Sequence, residues 1–201
     1  EQFGIPVLVE RSSYESHPLG RTEWMKLYGV LLGKEDQAEK VFEEQSSKLE
    51  KVLSAENTGK TVAFFYINST GAVNVRKSGD YVSEMIRLAG GKYVPEDTGS
   101  NDNALSTMNM QMEEFYAKAK DADYIIYNST IDGELTTIDE LLSKSELLAD
   151  FKAVKNGNVW CTGKNLFQET TGLGTMIEDI HTILTEDDAS LEELTYMHRL
   201  K

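Results

Sequence analysis

Residues 61–67 read TVAFFYI, a β-branched and aromatic run of strand length, and apolar positions Val82, Met85, Ile86 and Ala89 then recur at helical spacing. Gly90-Gly91 closes that helix in the manner of a left-handed cap. Beyond a polar loop the alternation continues. Residues 112–120 predict a helix, 123–127 (DYIIY) a strand, and 137–149 one or two helical turns opened by the capping-box pair Thr137 and Glu140. Asn156-Gly157 is a tight-turn signal ahead of a strand over 158–161, and Leu173, Met176, Ile177, Ile180, Ile183 and Leu184 mark a closing helix. Strand and helix in alternation predict a layered α/β/α lobe with a mainly parallel sheet.

Working back from residue 61, two apolar series come first. Trp24, Leu27, Tyr28, Leu31 and Leu32 follow Thr22 as a helix cap; Gly33 interrupts, and Ala38, Val41, Phe42, Leu49, Val52 and Leu53 resume. Before them residues 4–9, GIPVLV, have the pattern of a buried strand with nothing nearby to pair with. A strand without a sheet followed by a long helical stretch is what the second half of a two-lobed protein would show. The expected division is 1–20 as the end of a first lobe, 21–56 as a connecting helix and 57–201 as the C-terminal lobe. At the far end, 186–188 is expected to be a solvated acidic connector, and Ser190 with Glu193 to cap a last short helix.

Composition narrows the partners. Of 201 residues, 34 are acidic against 20 basic, giving a net charge of -14, so a phosphate backbone or an anionic lipid surface would be repelled. No nucleic-acid partner is expected. No apolar run reaches membrane-spanning length. Cys161, the single cysteine, allows no intrachain disulfide and is expected to be a buried inert thiol. The chain opens on Glu1 rather than on a leader, as a processed or trimmed product would.

Several motif fragments fail on inspection. Thr58-Gly59-Lys60-Thr61 imitates the end of a phosphate-binding loop, but Ser54 stands where the upstream glycine is needed and the motif precedes a strand. Gly172-Leu173-Gly174 lacks its third glycine, since Ile177 occupies that place. His17, His181 and His198 share no metal-ligand spacing, and no pair of carboxylates is placed for acid–base chemistry. An enzyme is therefore not expected. The alternative kept open is a small doubly wound enzyme acting on a nucleotide or sugar phosphate.

Four segments together resemble the substrate-binding proteins of ABC importers for iron-siderophore, haem and cobalamin chelates, in which two α/β lobes are joined by a rigid helix. They are GIPVLVE with SHPLGRTEWMKLYGVLLGKEDQAEKVF, GDYVSEMIRLAGGKYV, MEEFYAKAKDADYIIYN and LLADFKAVKNGNVWCTG. The resemblance covers residues 4–184. It implies that a chelate is captured between lobes and delivered to an ABC permease, with no cofactor beyond that ligand. It also implies an extracytoplasmic location, either periplasmic or as a lipoprotein held by an N-terminal lipid.

Ligands of open α/β sheets gather at the carboxyl ends of strands, which points to the loops 12–21, 66–74, 105–110, 128–130 and 164–170. There Tyr14, Tyr66, Met108, Met110 and Phe167 offer aromatic and thioether surface for a planar chelate, and Asn128 and Gln168 offer amide donors. Tyr14, His17 and Arg21 could supply an iron ligand and an anion clamp, although three polar residues in a loop before a helix more often face solvent. The resemblance further implies permease docking through a surface glutamate at the start of the 112–120 helix, Glu113; a carboxylate there also suits the helix dipole.

Overall fold

The computed structural model describes residues 3–96, 98, 106–186 and 190–201. After a 3-10 turn at Ser12–Tyr14 come the helices α1 (Pro18–Leu32) and α2 (Glu35–Leu53). Then follow β1 (Thr61–Ile67), β2 (Val73–Arg76), α3 (Tyr81–Leu88), β3 (Lys92–Val94), β4 (Thr107–Met110), α4 (Met112–Ala119) and β5 (Tyr124–Tyr127). The chain ends with α5 (Ile138–Lys144), α6 (Lys152–Lys155), β6 (Val159–Thr162), α7 (Leu173–Thr185) and β7 (Met197–Arg199).

The strands form one sheet in the order β4-β2-β1-β5-β6-β7, with β3 also paired to β1. Its middle is parallel: β1 runs with β3 and β5, and β5 with β6. The margins are antiparallel, since β2 pairs with β1 and β4, and β7 with β6. The expected mainly parallel sheet is thus parallel at its centre only. The hairpin between β1 and β2 allows no other direction, because a parallel return needs a long crossover. Strands β2, β3, β4 and β7, each three or four residues long, are too short for alternation to announce them.

Helices cover both faces, giving the expected α/β/α layers. On one face Val62, Phe64 and Trp160 pack with Leu49 and Val52 of α2, Val82, Met85 and Ile86 of α3, and Met176, Ile177 and Ile180 of α7. On the other, Phe65, Ile125, Tyr127 and Val159 meet Phe115 of α4, Leu141 of α5 and Ala153 of α6. Cys161 lies fully buried there, and burial pushes its thiol up to about 11, so the expected inert thiol is what the fold contains.

The 21–56 stretch is two helices rather than one rod. Gly33 adopts φ 62°, and Gly33 N and Lys34 N bond back to Val30 O and Gly29 O at 3.3 and 2.7 Å, a Schellman-like stop. The chain then reverses, so that Lys26 meets Glu39 at 3.1 Å and Gly29 lies against Ala38. Thr22 is not the cap. The helix starts four residues earlier at Pro18, pre-shaped for a first turn, and His17 Nδ1 accepts from Leu19 N at 3.2 Å.

Residues 4–9 form no strand and join no sheet among the described residues; Ile5, Val7 and Val9 are each about two-thirds exposed. The short helix expected from Ser190 is absent as well. Glu193 instead bridges His198, and the tail adds β7 to the sheet edge, where backbone donors need partners more than a four-residue helix could supply. Of the acidic connector, Asp187 and Asp188 lie outside the described residues, as does Leu105. No helix among the described residues is long and apolar enough to cross a membrane.

Candidate functional site

A cationic cluster forms where α1, β2, α3 and the segment after β6 meet. The Arg21 guanidinium carbon lies 3.8 Å from the centre of the Tyr81 ring; Arg76 lies 5.8 Å from the same ring and 4.6 Å from that of Phe167. Such stacking suits a planar, weakly hydrated guanidinium. Arg76 Nε stands 3.4 Å from Asp80 Oδ1, and Arg76 donates to Ser106 Oγ at 3.2 Å. Its Nε nevertheless makes no hydrogen bond to the described residues.

Local structure explains each position. Alternation along β2 sends Val73 and Val75 into one core and leaves Arg76 on the opposite side of the sheet, under α3. Asp80 caps α3, accepting from Val82 N at 3.0 Å. Tyr93 Oη donates to Arg76 O at 2.7 Å and fixes the strand end. Arg21 is held by donating Nε–H to Glu15 O at 2.9 Å and an Nη2 hydrogen to Ser13 O at 2.7 Å. Buried Thr22 donates to Thr170 O at 2.9 Å, binding α1 to the segment that carries Phe167.

Burial dominates the electrostatics. It raises the Asp80 carboxyl above the usual range even though Arg76 and the Val82 amide pull the other way. Burial also lowers Arg21, with Arg76 adding repulsion. Arg21 feels both Asp80 and, more weakly, Glu15, whereas Arg76 pairs with the reluctant Asp80 carboxyl, an arrangement that can accept an added anionic group.

Of the residues expected to line a site, Arg21 and Phe167 belong to this cluster. Tyr14 and His17 sit just before α1, both exposed, with Arg11 5.7 Å above the Tyr14 ring and one His17 nitrogen engaged as the helix cap. Gln168 is exposed in the 3-10 turn after β6. The remainder lie apart. Tyr66 and Met108 pack half-buried against the second core, and Met110 is enclosed in it, because β4 continues the sheet where a loop was expected. Asn128 is buried at the end of β5 and accepts from Thr130 N at 3.2 Å. Glu113 is exposed at the start of α4, beside Glu114, which pairs with Lys118 at 3.0 Å.

Sequence reasoning missed Arg76, Asp80 and Tyr81. The signal was present in VNVR at 73–76: an arginine closing a short alternating run, followed by an aspartate at cap position. Two cavities among the described residues have linings that do not include Arg21, Arg76, Asp80 or Tyr81. One of about 310 Å³ runs along α1 beside Glu15, Gly20 and Trp24; another of about 300 Å³ lies between Lys164, Glu169 and the tail residues Tyr196 and His198. The stacked cluster marks the site better than either, because its buried charges demand a reason that open grooves do not.

The lobe is three-layered, with half-buried Arg21 and buried Arg76 gathered beside the segment after β6. The chain belongs to the periplasmic binding protein family, whose pattern matches residues 2–166. That is a family of binding proteins and not of enzymes. An uncharacterized lipoprotein of Methanocaldococcus jannaschii is 31% identical over 190 residues, covering 92% of this chain and 43% of the relative. The chain spans about half the length of the curated relatives it matches.

Among solved structures, the periplasmic heme binding protein HutB of Vibrio cholerae aligns with a TM-score of 0.71 at 19% identity, over 92% of this chain and 70% of that one. An ABC-type Fe3+-hydroxamate transport system from Saccharomonospora viridis gives 0.67 at 17%, over 85% and 57%. A possible iron-binding (periplasmic solute-binding) protein of Staphylococcus epidermidis gives 0.66 at 15%, over 92% and 68%. At these identities the likeness is one of fold.

Proposed function

We propose that the protein is the substrate-binding component of an ABC importer, and that this lobe contributes the Arg21–Arg76 cluster to a cleft that takes an anionic metal chelate. Ferric siderophores bearing carboxylate or catecholate groups, haem with its propionates, and corrinoids are the candidate classes. The observation that carries the reading is the pair of guanidiniums stacked on Tyr81 and Phe167, with the buried Asp80 carboxylate 3.4 Å from Arg76. Structural neighbours that include a possible iron-binding protein, a heme binding protein and an Fe3+-hydroxamate transport system support it. A lipoprotein relative supports an extracytoplasmic location with attachment through an N-terminal lipid. Glu113, exposed at the start of α4, is the proposed contact to the permease.

Titrating the full-length protein with ferric siderophores, haem and cobalamin while following tryptophan fluorescence tests this. Trp24, half-buried and bonded to Glu15 at 3.3 Å, is the reporter beside the cluster, whereas Trp160 is sealed in the core. Saturable quenching by an anionic chelate, weakened about tenfold by Arg21→Ala, is expected; a tenfold change corresponds to about 1.4 kcal/mol. Equal affinity in the variant removes Arg21 from the site, and no quenching by any chelate overturns the ligand class. Uptake in cells carrying Glu113→Ala is expected to fall with ligand affinity intact. Normal uptake would remove the docking role.

A further inference from the structure

The tripeptide Asn-Ser-Thr occurs twice, at 68–70 and 128–130, each time directly after a strand, β1 and β5. Both copies fold alike. Asn68 Oδ1 accepts from Thr70 N at 2.9 Å and from the Thr70 hydroxyl at 2.7 Å; Asn128 Oδ1 accepts from Thr130 N at 3.2 Å and from the Thr130 hydroxyl. Their surroundings differ. Ser69, Thr70 and Gly71 form an exposed hairpin tip, and the Asn68 Nδ2 amide donates no hydrogen bond to the described residues. Asn128 is 3% exposed and Ser129 1%, with Ser129 N donating to Thr162 Oγ1 at 3.1 Å, so the second copy is locked beneath the surface.

We infer that Asn68 is an acceptor site for an N-linked oligosaccharide and that Asn128 is not. The sequence Asn-X-Thr is the acceptor pattern in secreted proteins, and transfer needs an accessible amide on a surface turn. The Thr70 amide and hydroxyl engage Oδ1 and leave Nδ2 free of hydrogen bonds among the described residues. In the transfer, Nδ2 bonds to the anomeric carbon of a lipid-diphosphate-linked oligosaccharide. The carbon–oxygen bond to the diphosphate breaks, the lipid diphosphate leaves with the electron pair, and Nδ2 gives one proton to the transferring enzyme. Three residue steps of β2, about 10 Å at strand spacing, separate Val73 beside the hairpin from Arg76, so a glycan on Asn68 can project clear of the cluster. The inference shares with the proposed function only an extracytoplasmic location.

Peptide mass spectrometry of the natural-length protein, purified from the cells that make it, tests the inference. Trypsin releases Asn68 in peptide 61–76 and Asn128 in peptide 121–144. A saccharide mass on 61–76, lost in Asn68→Gln and Thr70→Ala and kept in Thr70→Ser, is expected, with 121–144 bare at Asn128. A bare 61–76 peptide, or saccharide on Asn128 instead, overturns it. Fluorescence titration of Asn68→Gln, expected to match the unsubstituted protein, keeps this outcome separate from that for the ligand.

Discussion

The two faces of the sheet are built on different principles. Under α4, α5 and α6 lies an aromatic stack: Phe65 and Phe115 centroids are 4.5 Å apart, Phe115 and Phe151 5.6 Å, Tyr116 and Phe151 5.7 Å. Under α2, α3 and α7 the apolar core is interleaved with buried polar groups. Asp80 and Arg76 face each other there, Gln45 Oε1 accepts from Thr175 N at 3.0 Å, and Asp179 Oδ2 accepts from Tyr196 N at 2.8 Å. One face stabilises; the other specifies positions, because a buried polar group tolerates few arrangements. The proposed site lies on the second kind.

Phe115→Ala breaks the aromatic face and has the largest expected effect, a loss of about 3–5 kcal/mol in denaturant unfolding, with chelate affinity unchanged in the protein that remains folded. A comparable loss of affinity would mean that the faces are not separable. Arg76→Met strikes the other face. It removes the partner of Asp80 and is expected to cost about 2–3 kcal/mol, short of the full penalty for a broken buried pair because the raised carboxyl can take up a proton. Chelate binding should be lost as well, and its retention would remove Arg76 from the site.

Asp179 sharpens the contrast by pH. Burial raises its carboxyl to about 6 from an ordinary 3.8. Below about pH 4 it is largely neutral in both folded and unfolded chains. Between about 4 and 6 the unfolded chain ionises while the buried native carboxyl keeps its proton, so stability falls across that window and the loss is complete once pH has risen through 6. Asp179→Asn keeps an acceptor for Tyr196 N, so it should be more stable than the parent by about 1–2 kcal/mol at pH 7.5 and equal to it near pH 4. A constant difference across that range would assign the effect to packing. At the small end, Leu31→Ser on the exposed side of α1 should change stability by no more than about 0.5 kcal/mol, as chemical denaturation would register.

Elements with continuous apolar runs or clear helical spacing were legible in the sequence. β1, β5, β6, α3, α4 and α7 emerge close to their expected places, the short β5 and β6 because they are wholly buried and therefore apolar throughout. The antiparallel margins were not, since three or four residues carry too little pattern and depend on neighbours for their hydrogen bonds. The site was half legible. Arg21 and Phe167 were recognisable as residues able to stack and to hold an anion, but their meeting with Arg76 and Tyr81 depends on β2 and on the 148-residue reach from Thr22 to Thr170. Met110 misled because a methionine near a strand end looks the same whether it lines a cleft or fills a core.

Gly174 brings α7 against the backbone of α2, so close that a β-carbon there would collide with the Gln45 carbonyl and force the helices apart. Main chain resting on main chain has no rotamers through which to slip. Helices α2 and α7 should therefore travel as a single block, and whatever opens or shuts a cleft must bend at a joint outside them.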